Sequence, residues 1–388
     1  MHTFIPYGTQ NIEQEDIDAV VSVLKGDYLS TGPKILEFEK KFAKYVNSNY
    51  AVAVSSGTAA LHCACLAAGL QEGDEVITTP LSFVATSNAI LYCKAKPIFV
   101  DINEETFNID VDKIEEKITS KTKAIIPVHF AGNPCNMDKI KELANKYHLL
   151  IIEDAAHALG AKYKNKQIGQ IGDMTTFSFH PVKHITTGEG GMITTNNVNL
   201  YNKLLLYRNH GITRDKNFFQ NESCSDEGNW YYEQICLGYN YRLTDFQAAL
   251  GIIQLDKMPN SLKRRNELAK YYEQSLKDIK EIKIPHISSN MGSSWHLYII
   301  RIIDSKINRK KVFDKLREKN IGVNVHYLPI HCQPYYKKLG YSKGLCPVAE
   351  KIYEEIITLP IHPKISDEDV QYIVKSLKDI IEEEKNGK

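Results

Sequence analysis

The run IIEDAAHALG, residues 151–160, carries the logic of the fold. An apolar segment at 149–153, too short for a helix, ends on two carboxylates, Glu153 and Asp154, and small turn residues follow. An uninterrupted apolar run of that length is a strand buried on both faces, as in a parallel sheet. Open α/β sheets bind ligands beyond the carboxyl ends of their strands, so Asp154 stands where chemistry is expected. Working outward, similar runs occur at 51–54, 75–78, 97–101, 124–128, 174–179 and 191–195, and residues 59–68 and 137–147 between them have helical spacing. Successive β-α-β units with right-handed crossovers predict an α/β chain with a doubly wound, mostly parallel sheet.

From about Gln247 the texture changes to a long helical stretch reaching residue 279, then strand-like segments at 295–303 and 322–326, then helices. The expected division is a large domain with an N-terminal arm over 1–250 and a smaller C-terminal α+β domain over 251–388. Residues 213–234, TRDKNFFQNESCSDEGNWYYEQ, are polar and aromatic without periodicity, and read as a long loop beside the site.

Composition narrows the function classes. With 48 basic and 47 acidic side chains and a net charge of +1, the chain has no polyelectrolyte footprint, and no nucleic-acid partner is expected. The apolar runs are far below the roughly 20 residues that span a bilayer, so no membrane span is expected. The opening MHTFIPYGTQNIEQEDIDAV has no basic stretch leading into an apolar core, which predicts no secretory signal and a cytoplasmic location. Eight cysteines show neither a CxxC pair nor a Cys/His spacing suited to zinc; they are expected to be reduced and mostly buried, with no metal site.

Three further motifs bear on chemistry. In SSGTAAL, residues 55–61, a strand ends and a helix begins. Free amides and the dipole at a helix N-terminus suit a phosphate; Gly57 permits close approach and Thr58 adds a hydroxyl, although the same residues can simply cap the helix. In the opening run, Asp154 can hold a pyridine nitrogen protonated and His157 can meet the ring's phenolic oxygen; equally, Asp154 can cap a following helix with His157 packed behind it. In FSFHPVKHITTGEGG, residues 177–191, one lysine sits among apolar neighbours before a glycine-rich exit. Desolvation would make Lys183 available as the neutral amine that attacks an aldehyde, and Ser178 can reach the same phosphate as Thr58; a surface lysine in a turn is the alternative. Phe83 in TTPLSFVATSNA has the flat face to stack on such a ring, or to fill a core. Asn240 and Arg242 in LGYNYRLTDFQAAL can contact an anion or cap the next helix.

These pieces, in this order, together with RNHGI, LSTGPKILEFEKKFA, WHLYIIRI and VNVHYLPIH, resemble the sugar-nucleotide aminotransferases of the DegT/DnrJ/EryC1/StrS family over nearly the whole chain. The resemblance implies a pyridoxal 5'-phosphate (PLP) enzyme of fold type I and a homodimer with two active sites at the subunit interface. It makes Lys183 the Schiff-base lysine, Asp154 the pyridinium partner, His157 the phenolate neighbour and Phe83 the stacking aromatic. Gly57, Thr58 and Ser178 become phosphate ligands, and Asn240 reaches the phosphate in the other subunit's site. L-Glutamate is the implied donor. Within the family, FSFHPVKHITTGEGG, TTPLSFVAT and the stretch from WYYE to LGYNYR are most similar to the transaminases of pseudaminic acid synthesis, which aminate C4 of a UDP-linked 4-keto-6-deoxy-N-acetylhexosamine. His210, Trp230, Tyr232, His326 and Tyr327 are candidate contacts to the nucleotide sugar, or packing and loop residues. Aminotransferases for other nucleotide 4-keto-6-deoxy sugars, of the UDP-bacillosamine, dTDP-viosamine or perosamine type, are the nearest alternatives. A PLP-dependent sugar dehydratase of the same family would carry histidine at the Schiff-base position, where this chain has Lys183 with His184 beside it. A PLP-binding regulator or scaffold finds no support in a DNA-binding segment or a basic face.

Overall fold

In the computed structural model, which describes residues 3–221 and 228–387, seven strands form the central sheet. They are β1 Tyr50–Val54, β2 Glu75–Thr78, β3 Lys96–Phe99, β4 Thr122–Ile126, β5 Leu150–Asp154, β6 Met174–Ser178 and β7 Gly191–Thr195. Their spatial order is β3-β2-β4-β5-β6-β7-β1. All hydrogen-bonded neighbours are parallel except β7, which runs antiparallel to both β6 and β1. The expectation of a crossover between every pair of successive strands therefore fails at one place. No helix separates β6 from β7, and the chain reverses direction through residues 179–190, so that the two strands pair antiparallel. That connection carries Lys183.

Alternate residues along each strand serve opposite faces. Val52, Val54, Ile126, Ile152, Met174 and Ile193 pack with the helix Gly57–Ala67 on one side. Ala51, Ala53, Ile125, Ile151, Phe177 and Met192 pack with Phe38, Phe42 and Val46 on the other. Each such large side chain contributes roughly 1.5–3 kcal/mol by leaving water. Burial on both sides is what turned these strands into unbroken apolar runs.

C-terminal to this layer, Tyr298–Ile302 pairs antiparallel with Ile282–Lys283 and Ile356–Leu359. Helices Met258–Leu276, Arg309–Glu318 and Asp367–Lys385 enclose a core with Tyr272, Leu276, Ile300, Leu316, Ile373 and Leu377. Ile5 joins that core, held by backbone bonds to Asn320 (2.9 Å) and Gly322 (2.7 Å). The expected strand at 322–326 is reduced to an isolated bridge between Asn324 and Thr358, and the Asn324 side chain captures the Val325 amide at 2.8 Å. The single helical stretch expected to residue 279 is two helices, Asp245–Asp256 and Met258–Leu276, because Pro259 has no amide to continue the first.

The segment 213–234 is tied at its ends by pairing of Ile212 with Gln234 and Thr213 with Glu233; its residues 222–227, with Cys224, lie outside the described residues. The seven described cysteines are free thiols, and five of them are buried. Among the described residues no helix is long and apolar enough to cross a membrane.

Candidate active site

The carboxyl ends of β5 and β6 and the start of the helix after β1 converge on a cavity of about 580 Å³. It brings together Gly57, Thr58, Phe83, Asp154, His157, Ser178, Lys183, His326 and Tyr327, which lie as much as 270 positions apart (327 − 57).

At the helix N-terminus the cap is Ser56, whose Oγ accepts the Ala59 amide at 3.0 Å. The first amides of a helix have no intrahelical partner, so Gly57 and Thr58 present theirs to the cavity. Gly57 is required there: a Cβ would lie 2.8 Å from the Ser178 Cβ. The two segments thus form a tight cradle of backbone amides and hydroxyls.

Asp154 is buried at the end of β5. Its Oδ2 accepts the Thr86 hydroxyl at 2.7 Å and its Oδ1 accepts the Ala156 amide at 3.1 Å. No helix follows it, since residues 155–161 are turn and coil, so helix capping does not explain this carboxylate. Lys183 lines the same cavity. Desolvation pushes its ammonium down to about 8, with the Asp154 charge acting in the opposite direction. A lysine in that range supplies neutral amine near physiological pH, which a surface lysine does not.

His157 is also buried. Burial first, then the charge of Lys183, holds it well below the ordinary histidine range, so the ring is neutral. Its Nε2 lies 3.3 Å from the Tyr327 hydroxyl, and its Nδ1 is sealed without a partner. The ring of His296 stacks obliquely on it at 4.3 Å, and Ser294 Oγ donates to its carbonyl at 3.0 Å. His326, pushed down to about 3 by burial and then by Lys183, is tied through Nδ1 to Thr358 Oγ1 at 2.8 Å. Phe83 stands at the mouth, 58% exposed, its ring 6.2 Å from that of Tyr327.

The remaining candidates lie outside this cavity. Asn240 is exposed, and its backbone bridges to Asn209; Arg242 also holds the Asn209 side chain, and it lines a separate cavity of about 530 Å³. Trp230 and Tyr232 are 75% and 51% exposed, and His210 is exposed at the end of the helix Val198–Arg208. Tyr7, Thr86 and Asn324 line the cavity without having been singled out from the sequence. Thr86 had a legible signal, three residues after Phe83 in TTPLSFVATSNA; Tyr7 and Asn324 had none, being distant in the chain. One cluster outside the cavity, His331, Cys332 and Glu350, offers ligand atoms within 4.8 Å of one another, but His331 Nε2 and Glu350 Oε1 already pair at 2.8 Å.

The DegT/DnrJ/EryC1/StrS aminotransferase family model matches residues 10–378. The chain belongs to this family. The spore coat polysaccharide biosynthesis protein SpsC of Bacillus subtilis is 41% identical over 97% of both chains. The UDP-4-amino-4,6-dideoxy-N-acetyl-beta-L-altrosamine transaminase of Campylobacter jejuni is 38% identical over 99% of both. Spr1654 of Streptococcus pneumoniae, solved in its PMP form, superposes with a TM-score of 0.92 over 99% of both chains at 33% identity. Like the family, this enzyme is a PLP-dependent aminotransferase of fold type I. The residues present fit that cofactor: the cradle at Gly57 and Ser178 would be closed by any Cβ, Asp154 is a buried carboxyl group, and His157 has a buried nitrogen without a partner.

Proposed function

We propose that the enzyme transfers the amino group of L-glutamate to C4 of a UDP-linked 4-keto-6-deoxy-N-acetylhexosamine, with Lys183 and Asp154 as its catalytic residues. The observation that carries the catalytic assignment is the depressed Lys183 ammonium facing the buried Asp154 carboxylate in one cavity. Bound PLP supplies a ring that delocalises the electron pair left when a Cα–H bond breaks.

Lys183, as neutral amine, takes the proton from the donor's Cα and returns it at the cofactor's C4′; an amine near pKa 8 does both at neutral pH. Asp154, oriented by Thr86 and the Ala156 amide, would keep the pyridine nitrogen protonated. Neutral His157 would hydrogen-bond the ring's phenolic oxygen, Phe83 would stack on the ring, and the amides of Gly57 and Thr58 with Ser178 Oγ would hold the phosphate. The same residues then act in reverse on the keto sugar.

His326 and Tyr327, inside the cavity, are the sugar contacts with most support. Asn240, His210, Trp230 and Tyr232 are exposed in the single chain and away from its own cavity, which favours their acting on a second subunit's site in a homodimer. The acetamido-sugar assignment rests on the likeness to the Campylobacter jejuni transaminase. Amination of another nucleotide 4-keto-6-deoxy sugar is the second reading, favoured by the 41% identity to the spore coat polysaccharide protein.

The test is kcat/KM with glutamate across a panel of nucleotide 4-keto-6-deoxy sugars. An acetamido group needs a polar partner, and leaving that partner unpaired costs on the order of 1–3 kcal/mol, so the N-acetylated UDP sugar should be preferred by at least about tenfold. A preference for non-acetylated dTDP sugars overturns the acceptor while leaving the PLP chemistry untouched.

A further inference from the structure

Beyond Tyr327 the catalytic cavity leads into a second, larger one of about 810 Å³, with which it shares Ser82, Phe83 and Tyr327. One wall is the helix Ala85–Tyr92, which presents Asn88 and Tyr92. The other is the chain after Tyr327, which presents Gln333 and Tyr335. The walls are tied to each other. The Ile330 amide donates to the Pro80 carbonyl at 2.9 Å, and the Tyr336 hydroxyl donates to Asn88 Oδ1 at 2.8 Å.

The lining has a definite chemistry. No basic or acidic side chain takes part among the described residues. Tyr335 and Tyr336 are neighbours on the short helix Pro334–Lys338, and successive helical residues point about 100° apart. Tyr336 is therefore inside, 2% exposed, while Tyr335 is 61% exposed; Tyr92 and Phe83 also offer exposed rings around the same cavity. Gln333 and Asn88 are half-buried. Among the described residues the Gln333 side chain makes no hydrogen bond, and Asn88 uses only its oxygen, on Tyr336; the remaining amide atoms are open to the cavity rather than sealed. Exposed flat faces with uncharged amide groups suit a neutral planar ring with polar edges. They suit neither a phosphate, which calls for cations or free backbone amides, nor an aliphatic chain, which would cover the amides without pairing them.

We infer that this cavity is the subsite for the base of the nucleotide, with Tyr335 stacking on the ring and Gln333 hydrogen-bonding its edge. The inference rests on the nucleotide-sugar reading above and adds where the far end of that molecule lies. With the sugar at Tyr327, which lines both cavities, the base passes directly into the second. Tyr335 and Gln333 then act on the part of the substrate that does not react, so they set affinity rather than the rate of the chemical step.

Calorimetric titration of the PLP-loaded protein with UDP, which carries the base without a keto sugar, tests this. Saturable binding to the wild-type protein is expected. Tyr335→Ala should weaken it about tenfold or more, the scale of a lost stacking face, and Tyr335→Phe, which keeps the ring, should restore it. Gln333→Leu should weaken it about three- to tenfold, the scale of one neutral hydrogen bond. Both positions are accessible, so the variants should fold, which an unchanged circular dichroism spectrum checks. UDP that binds the wild type but is indifferent to Tyr335→Ala and Gln333→Leu overturns the subsite and leaves the nucleotide-sugar reading standing. Absence of any UDP binding overturns both. If Tyr335→Ala instead lowers the mass of the protein in light scattering, with UDP affinity unchanged, the cavity belongs to a contact with a second copy of the chain and the subsite is withdrawn.

Discussion

The catalytic cavity and the segment from His210 to Asn240 are equally rich in polar and aromatic residues, yet the single chain treats them oppositely. Around Lys183 the side chains are desolvated, interlocked and shifted in proton affinity: Asp154 has two donors, His157 is neutral and stacked, and Gly57 presses against Ser178. Along the other segment Trp230, Tyr232, Asn240 and His210 stand in solvent, and Leu237 is 75% exposed. One region is finished within one chain. The other, in its described residues, is a surface with large exposed side chains such as Trp230 and Leu237, the kind of patch that marks an interaction site. Under the proposed function, the comparison separates the chemistry, assigned to one chain, from the contacts we assign to a second.

The sharpest way to break this division is at its finished end. Lys183→Ala should lower glutamate-dependent turnover by about 1,000-fold or more, the scale of a lost general acid–base, while the circular dichroism spectrum stays unchanged. Turnover within tenfold of wild type would remove the lysine from its role. Asp154→Asn keeps the shape and the Thr86 contact but loses the charge, and should cost on the order of 100-fold in kcat with PLP still bound. Near-normal kcat would leave Asp154 as a turn-forming residue only.

At the unfinished end, Lys183→Ala and Asn240→Ala chains should complement each other when mixed. If Asn240 serves the neighbour's site, a mixed dimer carries both lesions in one site and none in the other. Equal mixing then recovers roughly a quarter of wild-type activity. No recovery despite demonstrated subunit exchange would place both residues in one chain's own site.

The smallest effect is on stability. The folded pKa of Lys183, about 8, lies below the ordinary lysine value of 10.5, so between these values the unfolded chain binds more protons and stability rises with pH. Lys183→Met in the PLP-free protein should therefore be more stable than wild type at pH 7, by on the order of 3 kcal/mol at most, given 1.36 kcal/mol per pK unit and partial solvent screening. The difference should shrink as pH rises from 8 towards 10.5. Urea titrations across that range check it; a difference that stays constant would show that the lysine is not desolvated in the folded chain.

The sequence by itself determined the run of buried strands and the edge after β5 as the place for a site, and it singled out Lys183, Asp154 and Gly57, which the structure brings to one cavity. Each of these rests on a local rule: apolar runs buried on both faces, free amides at a helix start, and a lone lysine among apolar neighbours. What only the tertiary structure decided is whatever depends on residues meeting across the chain. β7 pairs antiparallel with both its neighbours, Thr86 reached Asp154 across 68 positions (154 − 86), and Tyr7 and Asn324 entered the cavity from opposite ends of the sequence. The unpaired Arg265 belongs to the same class. Nothing in KRRNELAK distinguishes it from Arg264, because what sets them apart is where their partners lie: Arg264 meets Asp367 at the surface, and Arg265 is buried among backbone carbonyls, where no side chain supplies the opposing charge.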